Sequence, residues 1–135
     1  MSNVDKLRRA YQAWDETRGA SVQQWLELLA DDVVIRSLAE NEPSLEFAER
    51  RRGRAQAEQY FAALAKEWEM IYFSVDEFIS EGDRVVAIGR CAWRHRRTGK
   101  SVESPKVDIW RFRDGKATEV FELYDTAKAF EAAQG

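Results

Sequence analysis

One cysteine and one histidine in 135 residues leave almost nothing with which to hold a metal. Cys91 has no partner for an internal disulfide, and one thiolate with one imidazole falls short of any conventional zinc set. Neither a structural metal nor another cofactor is expected. Long apolar runs are missing too: no stretch nears the roughly 20 residues that cross a bilayer, and Met1-Ser2-Asn3-Val4-Asp5-Lys6 lacks the apolar core of a signal peptide. The reading is cytoplasmic, with no membrane as partner. Basic charge is outnumbered, 21 Lys+Arg against 24 Asp+Glu for a net charge of -3, which argues against nucleic acid as a partner. With only 2 Pro and 7 Gly against 44% apolar residues, the composition is that of a folded protein. The length suits one core, so residues 1–135 read as a single domain whose partner is a small-molecule ligand.

What is present is a change of period halfway along the chain. Leu7, Tyr11 and Trp14 share one helical face, and Val22, Trp25, Leu26 and Leu29 repeat the spacing in a second helix. Gly19 suits a stop for the first, and Ser21 with Gln24 has capping-box form. A third stripe, Ala57, Tyr60, Phe61, Leu64 and Trp68, predicts a helix over Arg54 to Glu69. Between them Val33-Val34-Ile35 is β-branched and short, hence a strand, followed by a loop from Ala39 to Gly53. After Met70 the spacing becomes that of strands, broken at Glu81-Gly82-Asp83, Thr98-Gly99-Lys100 and Asp114-Gly115, which predicts an antiparallel meander. Asp125 or Thr126 can cap a last helix running to Ala133.

Four segments carry a family likeness. They are Trp25-Leu26-Glu27-Leu28-Leu29-Ala30-Asp31-Asp32-Val33-Val34, Gly53-Arg54-Ala55-Gln56-Ala57-Glu58-Gln59-Tyr60-Phe61, Val107-Asp108-Ile109-Trp110-Arg111-Phe112-Arg113-Asp114-Gly115-Lys116, and Glu122-Leu123-Tyr124-Asp125-Thr126. Together with the order of elements, the chain resembles the nuclear transport factor 2-like superfamily, which includes SnoaL-like polyketide cyclases, ketosteroid isomerases and limonene epoxide hydrolase. The resemblance implies an α+β fold of the cystatin-like roll type. A cone-shaped, curved, antiparallel-rich sheet would wrap three helices from the N-terminal half around an apolar pocket. It also implies a homodimer through the outer sheet face. Since this fold hosts enzymes and plain binding modules, it fixes no reaction.

Register decides which side chains face the pocket, because a slip of one residue turns every side chain over. A two-residue turn at Asp114-Gly115 pairs Arg113 with Lys116 and sets Asp108 opposite Phe121. A three-residue loop with Gly115 in a bulge pairs Phe112 with Lys116, Asp108 with Val120 and Lys106 with Glu122. The second is favoured, since it gathers Val107, Ile109, Phe121 and Leu123 on one apolar face. The other face then presents Lys106, Asp108, Trp110, Val120, Glu122 and Tyr124, with Cys91 and Trp93 from the strand before, and this face should line the pocket. Val86 and Ile88 join the outer face, where a second subunit would cover them.

For chemistry, Asp108 resembles the carboxylic acid of the ketosteroid isomerase oxyanion hole, and Tyr11 resembles its tyrosine partner. The isomerase base position falls at Ser37 or a neighbour, and Arg36-Ser37-Leu38 offers no carboxylate. Against limonene epoxide hydrolase, Glu122 stands where one catalytic aspartate would be, while its other charged positions fall at Gly89 and Cys91. A SnoaL-type reaction needs one acid/base carboxyl, which Asp108 or Glu122 can supply, with Tyr11 as hydrogen-bond donor. Trp14, Cys91, Trp93, Lys106, Trp110, Val120 and Tyr124 would then contact the ligand. The plainer alternative is a rim of cross-strand ion pairs in a non-catalytic binding or dimerisation module. With Glu122 opposite Lys106, that pair would leave Asp108 the drier carboxyl, titrating high, and Glu122 low. Cys91 reads as a small buried hydrophobe, and the arginines at 50–54 and 94–97, with His95, read as solvated loops.

Overall fold

A computed structural model describes residues 1–135. The first helix, α1 (Asn3–Glu16), starts where Ser2 Oγ accepts from the Asp5 amide at 3.0 Å and turns Leu7, Ala10, Tyr11 and Trp14 inward. It ends at Arg18 and Gly19, both left-handed, with the Gly19 amide donating to Trp14 O at 2.9 Å. The capping box at Ser21 does not form. Ser21 ψ is 44°, not extended, and its Oγ is buried without a partner. Thr17 Oγ1 instead accepts from the Ala20 and Ser21 amides at 3.1 and 3.0 Å ahead of α2 (Val22–Leu28). The third helix, α3 (Gly53–Glu67), lies within two residues of its expected span.

Strand β1 (Leu29–Ser37) is longer than its β-branched centre suggested, and the loop after it contains a short 3-10 turn, Glu46–Ala48, and a two-residue strand β2 (Arg51–Arg52). The meander follows as β3 (Trp68–Glu81), β4 (Arg84–His95), β5 (Ser101–Arg113) and β6 (Lys116–Leu123), with a final helix α4 (Thr126–Ala132) capped by Asp125 on the Lys128 amide. Sheet order is β2-β1-β6-β5-β4-β3, antiparallel except for the parallel β1–β6 pair. The mixed α+β roll expected from the resemblance is therefore present. Helices α1 and α3 cover the concave face, where Leu7, Val33, Leu45 and Val85 are fully buried.

The last hairpin follows neither expected register. Asp114-Gly115 is a two-residue turn with Arg113 opposite Lys116, but a shift between Arg111 and Phe112 adds Thr118 to β6, so Asp108 lies opposite Glu122 and Trp110 opposite Val120. The bulge moves the partner of Asp108 one residue beyond the simple turn register and two beyond the favoured one. An even displacement preserves faces. Hence Lys106, Asp108, Trp110, Val120 and Glu122 still share the buried side, while Val107, Ile109, Phe121 and Leu123 are half-buried on the other.

A second bulge on β3, between Val75 and Glu77, presses the sheet backbone onto Gly89 of β4. A Cβ there would lie 1.9 Å from Ser74 O and 2.7 Å from Val75 Cα, so no larger residue fits without moving backbone.

Candidate active site

Three buried ionisable side chains from two adjacent strands meet in the cone. Lys106, Asp108 and Glu122 are 7%, 4% and 9% exposed, which makes their mutual pairing decisive because a buried charge without a partner is costly. Successive inward positions on β5 carry Lys106 and Asp108, and β6 carries Glu122 across from Asp108. Lys106 Nζ donates to Asp108 Oδ1 and lies 3.4 Å from Glu122 Oε1. The expected pairing is thus reversed: Asp108, not Glu122, is the closer partner of the lysine. The two-residue turn and the bulge at Thr118 together are the cause, since they set Glu122 opposite Asp108, two residues along the ladder from Lys106.

The tyrosines complete the cluster. Tyr11 from α1 donates to Asp108 Oδ2 at 2.5 Å and accepts from Trp110 Nε1 at 2.8 Å. Tyr60 from α3 donates to Glu122 Oε1 at 2.7 Å. With its proton committed to Asp108, the Tyr11 hydroxyl holds that carboxylate in place rather than offering a free donor to a ligand. Both oxygens of Asp108 are therefore engaged, whereas Glu122 Oε2 is buried with no partner.

Burial is the chief cause that raises the Glu122 carboxyl above the ordinary glutamate range; Asp108 adds to it, and Lys106 and Tyr60 oppose it. The expectation of a low-titrating Glu122 is accordingly overturned. Lys106 is held protonated: burial lowers its pKa, but Asp108 and Glu122 together outweigh that and raise it. Burial also pushes the Cys91 thiol up to about 11, so it is a protonated hydrophobe at neutral pH.

Around this cluster lies a cavity of about 100 Å³. Each sequence-selected residue borders it: Tyr11, Trp14, Cys91, Trp93, Lys106, Trp110, Val120, Tyr124, Asp108 and Glu122. Trp25 stacks on Trp110 with centroids 5.5 Å apart and planes 6° from parallel, and Tyr11 stacks on Phe73 at 5.7 Å. At the other end Ser37 Oγ and the Tyr124 hydroxyl lie 2.6 Å apart. Ser37, where the isomerase base was sought, thus contributes a hydroxyl pair in place of a carboxylate.

Sequence reasoning missed Tyr60 as a polar participant. A tyrosine in an otherwise apolar helical stripe was the available signal, since a buried phenol needs a partner. It also placed His95 and the arginine runs wholly in solvent. His95 is buried edge-on against Trp68 at 4.8 Å, with Nε2 3.7 Å from Glu67, and Arg51 is buried with Nη2 donating to Glu46 O. Both sit where a strand end turns back over the core, a placement that loop composition does not reveal.

The α+β cone, a curved six-stranded sheet with helices over its concave face, is the fold of the nuclear transport factor 2-like class. Within that class the chain belongs to the SnoaL-like domain family, whose model matches residues 7–120. Among solved structures it is similar to an NTF2-like protein of unknown function from Burkholderia pseudomallei, with TM-score 0.84, 24% identity and 100% of each chain covered. It is also similar to TerC, co-crystallized with polyporic acid, with TM-score 0.80, 23% identity and 98% of each chain covered. A protein from Catenulispora acidiphila with a ketosteroid isomerase-like fold, in complex with trimethylamine, matches with TM-score 0.73 and 15% identity over 90% of this chain and 89% of that one. Comparison with curated proteins found no match. No helix of this chain is long and apolar enough to cross a membrane.

Proposed function

We propose that the protein is a SnoaL-like pocket protein that takes a small, largely apolar molecule and transfers a proton on it without a cofactor, with Glu122 as the acid/base group. The observation that carries this reading is the unpartnered Oε2 of a buried, high-titrating Glu122 in an aromatic cavity. A general acid or base needs a proton-transfer atom free to reach the ligand and a pKa near the working pH. Asp108, with both oxygens engaged by Tyr11 and Lys106, is the positioning partner that keeps Lys106 charged. The ligands of TerC and of the Catenulispora protein support small organic molecules as occupants of such a fold.

Elimination of 5-nitrobenzisoxazole, whose carbon-bound proton any placed base removes to give a coloured phenolate, tests the proposal. Glu122 acts as base only when ionised, so the rate should rise with pH through a midpoint above the ordinary glutamate range. Glu122→Gln should lower the rate about 100-fold or more, while tryptophan quenching by the same compound persists. A rate no greater than that of free buffer, with quenching intact, would favour the second reading, a non-catalytic binding or dimerisation module. That reading draws on the direct Lys106–Asp108 ion pair.

The half-buried Val86, Ile88, Val107, Ile109, Phe121 and Leu123 support a homodimer through the outer sheet face. Sedimentation should give about twice the 15.7 kDa chain mass, and a species that stays at the chain mass in concentrated solution would rule the dimer out.

A further inference from the structure

The charges inside the cavity do not cancel. Lys106 is its cation, Asp108 and Glu122 are its carboxyls, and burial first of all keeps the protons on Tyr11 and Tyr60. Once both carboxyls ionise, one negative charge is left over with no counter-ion. It falls on the side of Glu122, because Lys106 lies closer to Asp108 and Oε2 alone of the four carboxyl oxygens has no partner.

The walls suit the opposite sign. Tyr11, Trp14, Trp25, Phe73, Trp93 and Trp110 border the cavity, and aromatic faces attract cations electrostatically. One such contact already exists, for Lys106 Nζ lies 5.6 Å from the Phe73 ring centre. An anionic ligand would add to the surplus charge, and a neutral one would leave it to be neutralised by a proton. Only a cation matches both the rings and the free oxygen. The free volume, about 100 Å³, is below the ~150 Å³ of an engineered cavity that takes benzene, so the walls enclose only the head of a ligand and the remainder reaches into the open mouth.

We propose that the cavity's ligand is a small hydrophobic ammonium, a monocationic amine seated between the aromatic walls and Glu122 Oε2. The proposal rests on the reading of this cavity as a small-molecule site and names the ligand's charge. Binding exchanges one cation for another: the Glu122 O–H bond breaks, its proton leaves to the buffer, and the ammonium takes over as counter-ion with no other bond made or broken. The groups that set this exchange are Lys106 and Asp108 from β5, Tyr60 from α3, Tyr11 from α1, Cys91 from β4 and Tyr124 after β6.

Two matched pairs of probes test it on the full chain by tryptophan fluorescence and titration calorimetry. One pair is (2-hydroxyethyl)trimethylammonium with its carbon isostere 3,3-dimethylbutan-1-ol; the other is benzyltrimethylammonium with neopentylbenzene. In at least one pair the ammonium should bind about tenfold or more tightly than its isostere. Below the Glu122 midpoint, heats measured in buffers of different ionisation enthalpy should report proton release on binding. Glu122→Gln should lose both the preference and the release. If the variant does not fold, the proton count in the parent decides alone. Isosteres that bind while the ammoniums bind equally or more weakly would overturn the ammonium and leave the small-molecule site standing. Ammonium binding without proton release would also overturn the exchange, and no binding by any of the four probes would remove both readings.

Discussion

Replacing Lys106 with methionine is expected to destabilise the protein by about 3–5 kcal/mol at mildly alkaline pH, the range seen when one partner of a buried ion pair is removed. For a chain of this size that lowers the melting temperature by about 10 °C or more. Lys106 is the cation that both buried carboxyls share. Without it Asp108 and Glu122 face each other across the β5–β6 ladder with hydrogen bonds from Tyr11 and Tyr60 but no opposing charge. The folded-state pKa of Glu122, already raised by burial, must rise further once the opposing charge of Lys106 is gone. A carboxyl whose folded pKa is raised favours the native state most below its unfolded pKa and loses that contribution as pH climbs through the folded value. The deficit of the variant should therefore shrink toward acid pH and widen toward alkaline pH. Thermal melts of parent and variant across that range check it, and a deficit independent of pH would show that Lys106 acts through packing alone.

Gly89→Ala should be nearly as damaging from a single added methyl group. The new Cβ meets Ser74 O at 1.9 Å and Val75 Cα at 2.7 Å, which are backbone atoms of the β3 bulge and cannot rotate aside. Relief requires β3 and β4 to separate locally, which costs about 3 kcal/mol or more by comparison with overpacked cores. Gly82→Ala provides the contrast. Its Cβ meets nothing within 4 Å, and only its φ of +58° is unfavourable, a backbone penalty of about 1–2 kcal/mol. Denaturant midpoints should rank parent, Gly82→Ala and Gly89→Ala in falling order. The same crowding explains why Gly89 cannot carry the charged side chain that limonene epoxide hydrolase would require at this position.

The architecture was legible because period is a local property. Leu7, Tyr11 and Trp14 can face one way only on a helix, and the Gly-containing turns bound four strands of alternating pattern. Pocket membership was legible for the same reason, since it depends on strand parity, and the observed register differs from the favoured one by two residues, which leaves parity unchanged. What failed was anything that needed the partner itself. Whether Lys106 bonds Asp108 or Glu122 depends on one extra residue in β6, which no hairpin signal announces. Tyr60 reaches Glu122 from an element 62 positions away in sequence, and Trp68 meets His95 only after β3 pairs with β4.

The parallel union of β1 with β6 also orders events in time. The meander from β3 to β6 grows by neighbouring hairpins, each closing a short loop, whereas Val34 finds Glu119 and Ser37 finds Glu122 only after most of the chain between them is in place. Such non-local closure is the slow kind of step in folding, because chain entropy is lost before contacts repay it. The cavity straddles that seam: Glu122 lies on β6 with Tyr124 just beyond its end, Ile35 on β1, and Tyr60 on α3. A ligand that needs all of them binds only the finished molecule, and so draws the last docking event to completion by mass action.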